Sequence, residues 1–104
     1  MYLIKQTTTF SKWLQKLKDI KGKVSIIRRI DRIKLGNFGE YKPVGDGINE
    51  LKIPTGPGYR VYYTQQNNEI VILLIGGDKS TQTKDIIKAK QILKELEDEQ
   101  ANNI

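Results

Sequence analysis

The chain has 104 residues, of which 38% are hydrophobic and 29% charged, and it carries a formal net charge of +6. This length gives one domain with a modest core, and the composition is that of a globular rather than a disordered chain. The absence of cysteine and histidine excludes disulfides, thiolate nucleophiles and the usual zinc sites, and it removes the commonest acid–base side chain.

The positive charge is concentrated in the first part of the sequence. Residues 1–60 contain 13 Lys/Arg and 5 Asp/Glu, whereas residues 61–104 contain 5 and 7. A basic surface on a small domain is typical of proteins that bind a polyanion through its phosphates, although high charge also serves solubility alone. No apolar run approaches the roughly 20 residues that span a bilayer, and the first residues do not resemble a signal peptide. We therefore expect a cytoplasmic protein that does not contact a membrane.

The first third of the chain predicts a short strand and then a helical hairpin. A strand over residues 2–5 is followed by three threonines, one of which caps the first helix. Apolar residues at helical spacing assign the core face of this helix: Phe10, Trp13, Leu14 and Leu17. A break at Gly22 separates the first helix from a second one. The same spacing predicts that the second helix faces the core with Val24, Ile27, Ile30 and Ile33. Its basic residues lie mostly on the outer face: Arg28, Arg29, Arg32 and Lys34.

The remainder predicts four consecutive strands and a last helix. Turn residues and β-forming residues bound the strands at 41–44, 48–53, 59–64 and 69–75, the last being apolar on both faces. A helix begins at Ser80, and its inner side carries Ile86, Ala89, Leu93 and Leu96. The order predicts an α+β domain: an antiparallel twisted sheet of about four strands plus the short first strand, with the helices on one face. We expect one domain over residues 1–96 and an acidic, disordered tail over residues 97–104.

The residues that could carry chemistry fall on the middle strands and after the last one. Glu50 and Lys52 share a strand face, so we expect both charges to project from the sheet, and the simplest hairpin register brings Lys52 close to Arg60. Arg60 is expected at a solvent-facing position of its strand. Tyr62 lies on the same face as Arg60 by the two-residue period, and Lys79 follows the last strand. A cluster of cations at one place could bind a phosphate and stabilise the added charge of a phosphoryl transition state. Each residue could equally be part of a solvated surface, and Asp78 is more simply a turn or cap residue.

Several segments, in this order and spacing, resemble the phage-derived "addiction module killer" toxins, which are HigB-like members of the RelE/ParE superfamily. The segments that carry the resemblance are Gly36–Gly39, Lys42–Gly45, Glu50-Leu51, Gly56–Tyr63 and Leu73–Gln82. With Phe10–Leu17 and Asp85–Ala89, the match extends from near the N-terminus to about Leu96. The resemblance implies a RelE/ParE-like fold and an mRNA endonuclease that acts at the ribosome and is held inactive by a helix-turn-helix antitoxin. Operator DNA would be contacted only through the antitoxin complex.

The resemblance also assigns roles to residues. The transition-state arginine falls at Arg60, and the flanking basic residues fall at Lys52 and Lys79. Asp85 lies near the place where RelE toxins carry an aromatic acid–base residue, and the histidines of some HigB toxins have no counterpart here. Lys52 therefore ranks first as the base. The residues expected to contact RNA are Arg28, Arg29, Arg32, Lys34, Lys42, Tyr62 and Gln82. For Lys42 the sequence leaves two interpretations open, a solvated residue at the sheet edge or a phosphate contact.

The hypothesis from sequence is thus an endoribonuclease that needs no metal and no cofactor, because the nucleophile and the leaving group both belong to the RNA. Two alternatives share the same fold. One is a ParE-like toxin that poisons DNA gyrase through protein contacts and cleaves nothing. The other is an inactive relative that binds only the antitoxin and, with it, operator DNA.

Overall fold

The computed structural model describes residues 1–102, and its elements follow the predicted order. The strands are β1 (Leu3–Gln6), β2 (Tyr41–Gly45), β3 (Ile48–Ile53), β4 (Tyr59–Gln66) and β5 (Ile70–Asp78). The helices are α1 (Thr8–Lys16), α2 (Ile20–Lys34) and α3 (Gln82–Asn102), and a short 3-10 turn (Lys79–Thr81) precedes α3. The predicted α+β class is confirmed.

Side-chain caps fix the beginnings of the first two helices. The hydroxyl of Thr7 accepts a hydrogen bond from the Phe10 N–H at 3.0 Å, as expected for one of the three threonines. The Asp19 carboxylate accepts from the Gly22 N–H at 3.1 Å and starts α2. The break between the helices therefore lies at residues 17–19, and the prediction of a break at Gly22 is wrong. Gly22 is buried inside α2, where an added Cβ would collide with the Tyr59 ring.

The five strands form one sheet in the order β1-β5-β4-β3-β2. The pairs β2–β3, β3–β4 and β4–β5 are antiparallel, as predicted, but β1 pairs parallel to β5, with Leu3 opposite Ile70. The sheet is therefore mixed. The two strands are far apart in the sequence, so their relative direction is not set by a hairpin turn.

Helices cover both faces of the sheet, which corrects the expectation that they lie on one face. On the α1–α2 face, Phe10 and Ile26 are fully buried in one core with Val61 and Leu73. On the α3 face, Ala89 and the other inner residues of α3 pack in a second core, which contains Ile48, Tyr62 and Leu74. Strand β5 was predicted to be buried on both faces, and a sheet with such a strand needs a cover on each side.

The apolar face of α2 is rotated from the predicted one. Ile30 and Ile33 are buried as expected, but Ile26 takes the place in the core that Val24 and Ile27 were given. Val24 and Ile27 are 40% and 42% exposed. Close contact between Gly22 and Tyr59 fixes this rotation, and the spacing of the aliphatic residues alone did not reveal it.

Helix α3 continues beyond the predicted domain end at Leu96. Residues 97–102, which we expected to be disordered, extend α3 by more than a turn, and residues 97–101 are exposed. Glu97, Glu99, Gln100 and Ala101 have high helix propensity, which favours continuation of the helix beyond the core. The rest of the predicted tail, residues 103 and 104, lies outside the described residues. Among residues 1–102, no helix combines the length and the hydropathy that membrane crossing requires.

Candidate active site

Three of the predicted site residues meet where β3 ends, β4 begins and β5 ends. Lys52 pairs with Arg60 across β3 and β4, which confirms the predicted register, and Arg60 pairs with Gly77 across β4 and β5. Lys79 follows β5 and is close to the same place. A Cβ added to Gly58 would lie 3.5 Å from the Arg60 Nη1 and 3.8 Å from the Lys79 Cβ. The sheet register therefore brings Lys52, Arg60 and Lys79 to one end of the sheet.

A buried carboxylate organises this end of the sheet. The Glu50 side chain is only 2% exposed. Its Oε2 accepts hydrogen bonds from the Tyr62 hydroxyl at 3.0 Å and from the Gln82 Nε2 at 2.8 Å. Its Oε1 faces the Arg60 Nε at 3.6 Å and the Lys42 Nζ at 3.8 Å. These five residues come from β2, β3, β4 and the first turn of α3, so Glu50 joins four elements.

Arg60 is held in place by this surrounding structure. Its Nη1 donates to the Gly58 carbonyl at 3.0 Å, while its buried Nε has no hydrogen-bond partner among residues 1–102. The prediction that Arg60 faces solvent is wrong, because the residue is only 7% exposed. The turn at Gly58 and the start of α3 cover this part of the strand. A buried guanidinium at charge-pair distance from a buried carboxylate has a restricted orientation.

The two buried charges form the floor of a small cavity. It has a volume of about 140 Å³ and is lined by Glu40, Tyr41, Lys42, Glu50, Lys52 and Arg60. We call it the Arg60 cavity. Lys42 and Lys52 are exposed at its rim. Lys42, predicted from sequence to be either a solvated edge residue or a phosphate contact, thus lines a cavity with two other cations. Glu50 and Glu40 offset two of the three positive charges that line the cavity, which leaves one positive charge in excess with which an anion can be bound.

Tyr62 does not form part of this cavity. It has no exposed surface and packs in the α3 core, so the structure gives it no surface with which to contact RNA. Burial, and then the negative charge of Glu50, raise the pKa of Tyr62 far above its usual value. The hydroxyl therefore remains a hydrogen-bond donor to Glu50. Gln82 is half-buried and has its amide nitrogen bound to the same carboxylate. Both residues hold Glu50 in place.

The basic residues of α2 divide into two groups. Arg28, Arg32 and Lys34 are exposed, as expected. Arg29 instead donates to the carbonyls of Lys52 at 2.7 Å and of Phe38 and Glu40 at 3.2 Å each. Burial, and then the positive charge of Arg32, lower the pKa of Arg29. Arg29 thus ties α2 to the loop before β2 and to the end of β3, which is a structural role.

The segment after β5 is ordered by its own short-range bonds. The Asp78 carboxylate accepts from the backbone N–H and the hydroxyl of Ser80, which confirms Asp78 as a cap residue. Asp85 accepts from the Thr81 hydroxyl at 2.5 Å and packs directly over Gly77. Burial is the main cause that raises the pKa of Asp85. Gly77 is the residue of β5 that pairs with Arg60. Asp85, which lies over Gly77, is therefore close to the site.

Sequence reasoning missed the central role of Glu50. It placed Glu50 on one face with Lys52 and expected both charges to project from the sheet. The signal was present in the register, because Glu50 pairs with Tyr62 on one side and with Lys42 on the other. A carboxylate between a buried aromatic hydroxyl and a lysine is a buried, paired group more often than a solvated one.

Fold and site together define a small basic α+β protein with a cation-lined cavity at the end of its sheet. The chain belongs to the family described as phage-derived protein Gp49-like, whose model matches residues 12–98. It is 57% identical over 93 residues to an uncharacterized protein of Haemophilus influenzae, a match that covers 89% of this chain and 94% of the relative. No solved structure matches the chain.

Proposed function

We propose that this chain is the toxin of a toxin–antitoxin pair, similar to HigB of the RelE/ParE superfamily, and that it is an endoribonuclease that cleaves mRNA. The observation that carries the proposal is the Arg60 cavity, where Lys42, Lys52 and the fixed Arg60 guanidinium line a space suited to a phosphate. The proposal is also supported by the resemblance to the addiction-module toxins and by membership in a phage-derived family. A helix-turn-helix antitoxin is the proposed partner, and the cytoplasm is the proposed location.

In the proposed reaction, the 2′-oxygen of a nucleotide attacks the adjacent phosphorus. Its proton passes to the unprotonated amine of Lys52 as the P–O5′ bond breaks. The leaving 5′-oxygen takes up a proton from solvent water, so that a 2′,3′-cyclic phosphate and a 5′-hydroxyl end result. Arg60 stabilises the negative charge that develops on the non-bridging oxygens, since a guanidinium can donate to two of them at once. Lys79 adds positive charge near Arg60. Glu50 takes no proton in this scheme and keeps Arg60 in its orientation.

The role of Lys52 as base can be separated from its charge. Lys52→Arg keeps the positive charge but replaces the amine by a guanidinium, which stays protonated and cannot accept a proton. We therefore expect Lys52→Arg to retain RNA affinity. Its cleavage rate should fall by at least about 10²-fold, the lower end of the usual contribution of a general base. Full cleavage by Lys52→Arg would assign Lys52 a purely electrostatic role.

Brief induction of the protein alone, followed by mapping of RNA ends, tests the function. We expect growth arrest and new 5′-hydroxyl ends within mRNA, and relief when the helix-turn-helix protein of the neighbouring gene is co-expressed. Arrest without new RNA ends, but with gyrase-dependent DNA breaks, would favour a gyrase poison. Harmless accumulation of folded protein would contradict any toxin function.

Because the reacting groups belong to the RNA, the proposed step does not pass through a metal ion. Cleavage in a purified system should therefore persist in excess EDTA, with any magnesium requirement of the ribosome controlled separately. Loss of cleavage that manganese or zinc restores would contradict this chemistry.

A further inference from the structure

A second basic depression lies beside the Arg60 cavity, on the other face of the sheet. It has a volume of about 280 Å³ and is lined by Ser25, Arg28, Arg29, Arg32, Ile53, Pro54 and Thr55. We call it the arginine groove. It runs between α2 and the segment that follows β3, and no carboxylate of residues 1–102 is among the groups that line it. Three guanidinium groups therefore border one groove without an acidic residue among them.

The groove residues have hydrogen-bond donors that bind no other group of residues 1–102. Arg28 and Arg32 are exposed, and neither side chain has a hydrogen bond or an ion pair with any residue in the described part of the chain. They are four residues apart on one helix, so their charges are close together and repel each other. The Ser25 hydroxyl accepts from the Thr55 hydroxyl at 3.1 Å, which leaves its own proton available. Two guanidinium groups and a hydroxyl donor together suit a phosphate group.

Arg29 connects the groove to the Arg60 cavity. It lines the groove, and it donates to the carbonyls of Lys52 and Glu40, two residues that line the Arg60 cavity. Lys52 and Ile53 are consecutive in β3, so their side chains point to opposite faces, one towards each depression. The two depressions thus lie on either side of the same strand end, with Arg29 fixing the wall between them.

We infer that the arginine groove is a second phosphate subsite, which binds the sugar–phosphate backbone of the same single-stranded RNA whose cleaved phosphate lies in the Arg60 cavity. The inference rests on the proposed function. The strand passes around the end of β3, with Arg28 and Arg32 contacting the backbone and Arg29 serving as the structural support. Contacts to the sugar–phosphate backbone carry no direct sequence information, so the subsite contributes affinity rather than sequence preference.

Binding to an uncleavable probe tests the subsite apart from catalysis. The probe is a short single-stranded RNA with every 2′-hydroxyl methylated, measured by fluorescence anisotropy over a series of salt concentrations. Arg28→Ala/Arg32→Ala should weaken binding about tenfold at low salt. It should also reduce the slope of log affinity against log salt by about 1.4, as expected when two contacts to single-strand phosphates are lost.

The control variant is Lys88→Ala/Lys94→Ala, which removes two positive charges from exposed positions of α3 on the opposite face. It should retain both the affinity and the salt slope. Equal weakening of the two double variants would mean that binding follows net charge, and it would overturn the subsite.

Other outcomes separate the subsite from the proposed function. If the wild-type protein binds and cleaves RNA while Arg28→Ala/Arg32→Ala keeps its affinity and slope, the subsite is refuted and the proposed function stands. If that variant instead loses only its binding to the co-expressed antitoxin, the groove is a protein interface. If the wild-type protein neither binds the probe nor cleaves RNA, both proposals fail.

Discussion

The two faces of the sheet differ in how their helices close them. On the α1–α2 face, Phe10 and Trp13 of α1 pack over the sheet, and the core residues form a continuous apolar layer. On the α3 face, the apolar core stops short of the sheet end, and the Glu50–Arg60 pair occupies the place of the next apolar residues. A buried charge pair contributes less stability than well-packed apolar residues of the same volume. The comparison indicates that apolar packing closes the α1–α2 face, whereas the α3 face includes a buried charge pair in place of part of that packing.

The largest effect that we predict concerns Arg60. Arg60→Ala should reduce RNA cleavage by about 10²-fold or more, because one donor to the developing negative charge is lost. It should also lower the free energy of unfolding by about 1–3 kcal/mol, since Glu50 remains buried with one cation fewer. Arg60→Lys should recover stability better than cleavage, because an ammonium group lacks the planar fork. Cleavage rates, thermal melting and antitoxin binding are measured together.

If Arg60→Ala binds antitoxin and arrests growth fully, Arg60 has no part in catalysis, and the gyrase-poison alternative gains support. The structure makes the melting curve an essential control here, because Arg60 is buried and was expected to be exposed.

The next largest effect concerns Glu50, whose Oε1 lies 3.6 Å from the Arg60 Nε. Glu50→Gln should reduce kcat by about 10- to 100-fold with little change in KM, because a guanidinium displaced by about 1 Å no longer fits the transition state. Glu40→Gln is the matched control, since it removes a carboxylate that lines the same cavity from an exposed position. It should leave kcat close to that of the wild-type protein. Similar kcat values for the two variants would show that Glu50 does not position Arg60.

Two adjacent glycines in β5 allow the two faces to be compared directly. An added Cβ at Gly76 would collide with the Trp13 ring, whereas one at Gly77 would collide with the Asp85 carboxylate. Gly76→Ala should lower the free energy of unfolding by about 1–3 kcal/mol, because a ring packed in the core cannot move aside easily. Gly77→Ala should cost less stability, since a carboxylate at the end of its side chain can rotate.

Cleavage should show the reverse order. Gly77 is the cross-strand neighbour of Arg60, so Gly77→Ala should impair cleavage more than Gly76→Ala when both are assayed well below their melting temperatures. Chemical denaturation and cleavage rates of the two variants provide the measurements. Equal effects of both variants on both quantities would remove the distinction between the faces.

The sequence predicted the elements, their order and the middle of the sheet, because strand periodicity and short turns fix antiparallel register locally. The Lys52–Arg60 pairing is an example. It did not predict that Glu50, Arg60 and Tyr62 are buried, since burial depends on where α3 packs, and α3 reaches the site through Gln82 from 32 residues away. The rotation of α2 and the parallel β1 were missed for the same reason, because contacts distant in the sequence determine both.

The smallest effect that we predict is on the free energy of unfolding, and it comes from a contact on the α1–α2 face. This effect also has a defined pH dependence. The Tyr59 hydroxyl donates to the Asp19 carboxylate at 2.8 Å and ties β4 to the start of α2. Tyr59→Phe should lower the free energy of unfolding by about 1 kcal/mol near neutral pH. Burial, and then the bond to Asp19, raise the pKa of Tyr59 from 10.0 to about 12. This stabilisation is present below pH 10 and is lost as the pH rises towards about 12, where the folded protein must give up the proton.

The pKa of Asp19, the partner of Tyr59 in this contact, is shifted in the opposite direction. The Gly22 N–H, and then the Tyr59 hydroxyl, lower the pKa of Asp19 below its ordinary value of 3.8. That stabilisation is present above pH 3.8 and is lost as the pH falls through the lowered pKa. The stability difference between wild type and Tyr59→Phe should therefore be constant between about pH 5 and 9 and shrink on both sides. On the acid side it shrinks only in part, because the Tyr59 hydroxyl can still donate a hydrogen bond to the protonated, neutral carboxyl group of Asp19. Denaturation midpoints across this pH range measure the difference, and a difference that does not change with pH would show that Asp19 and Tyr59 are not coupled.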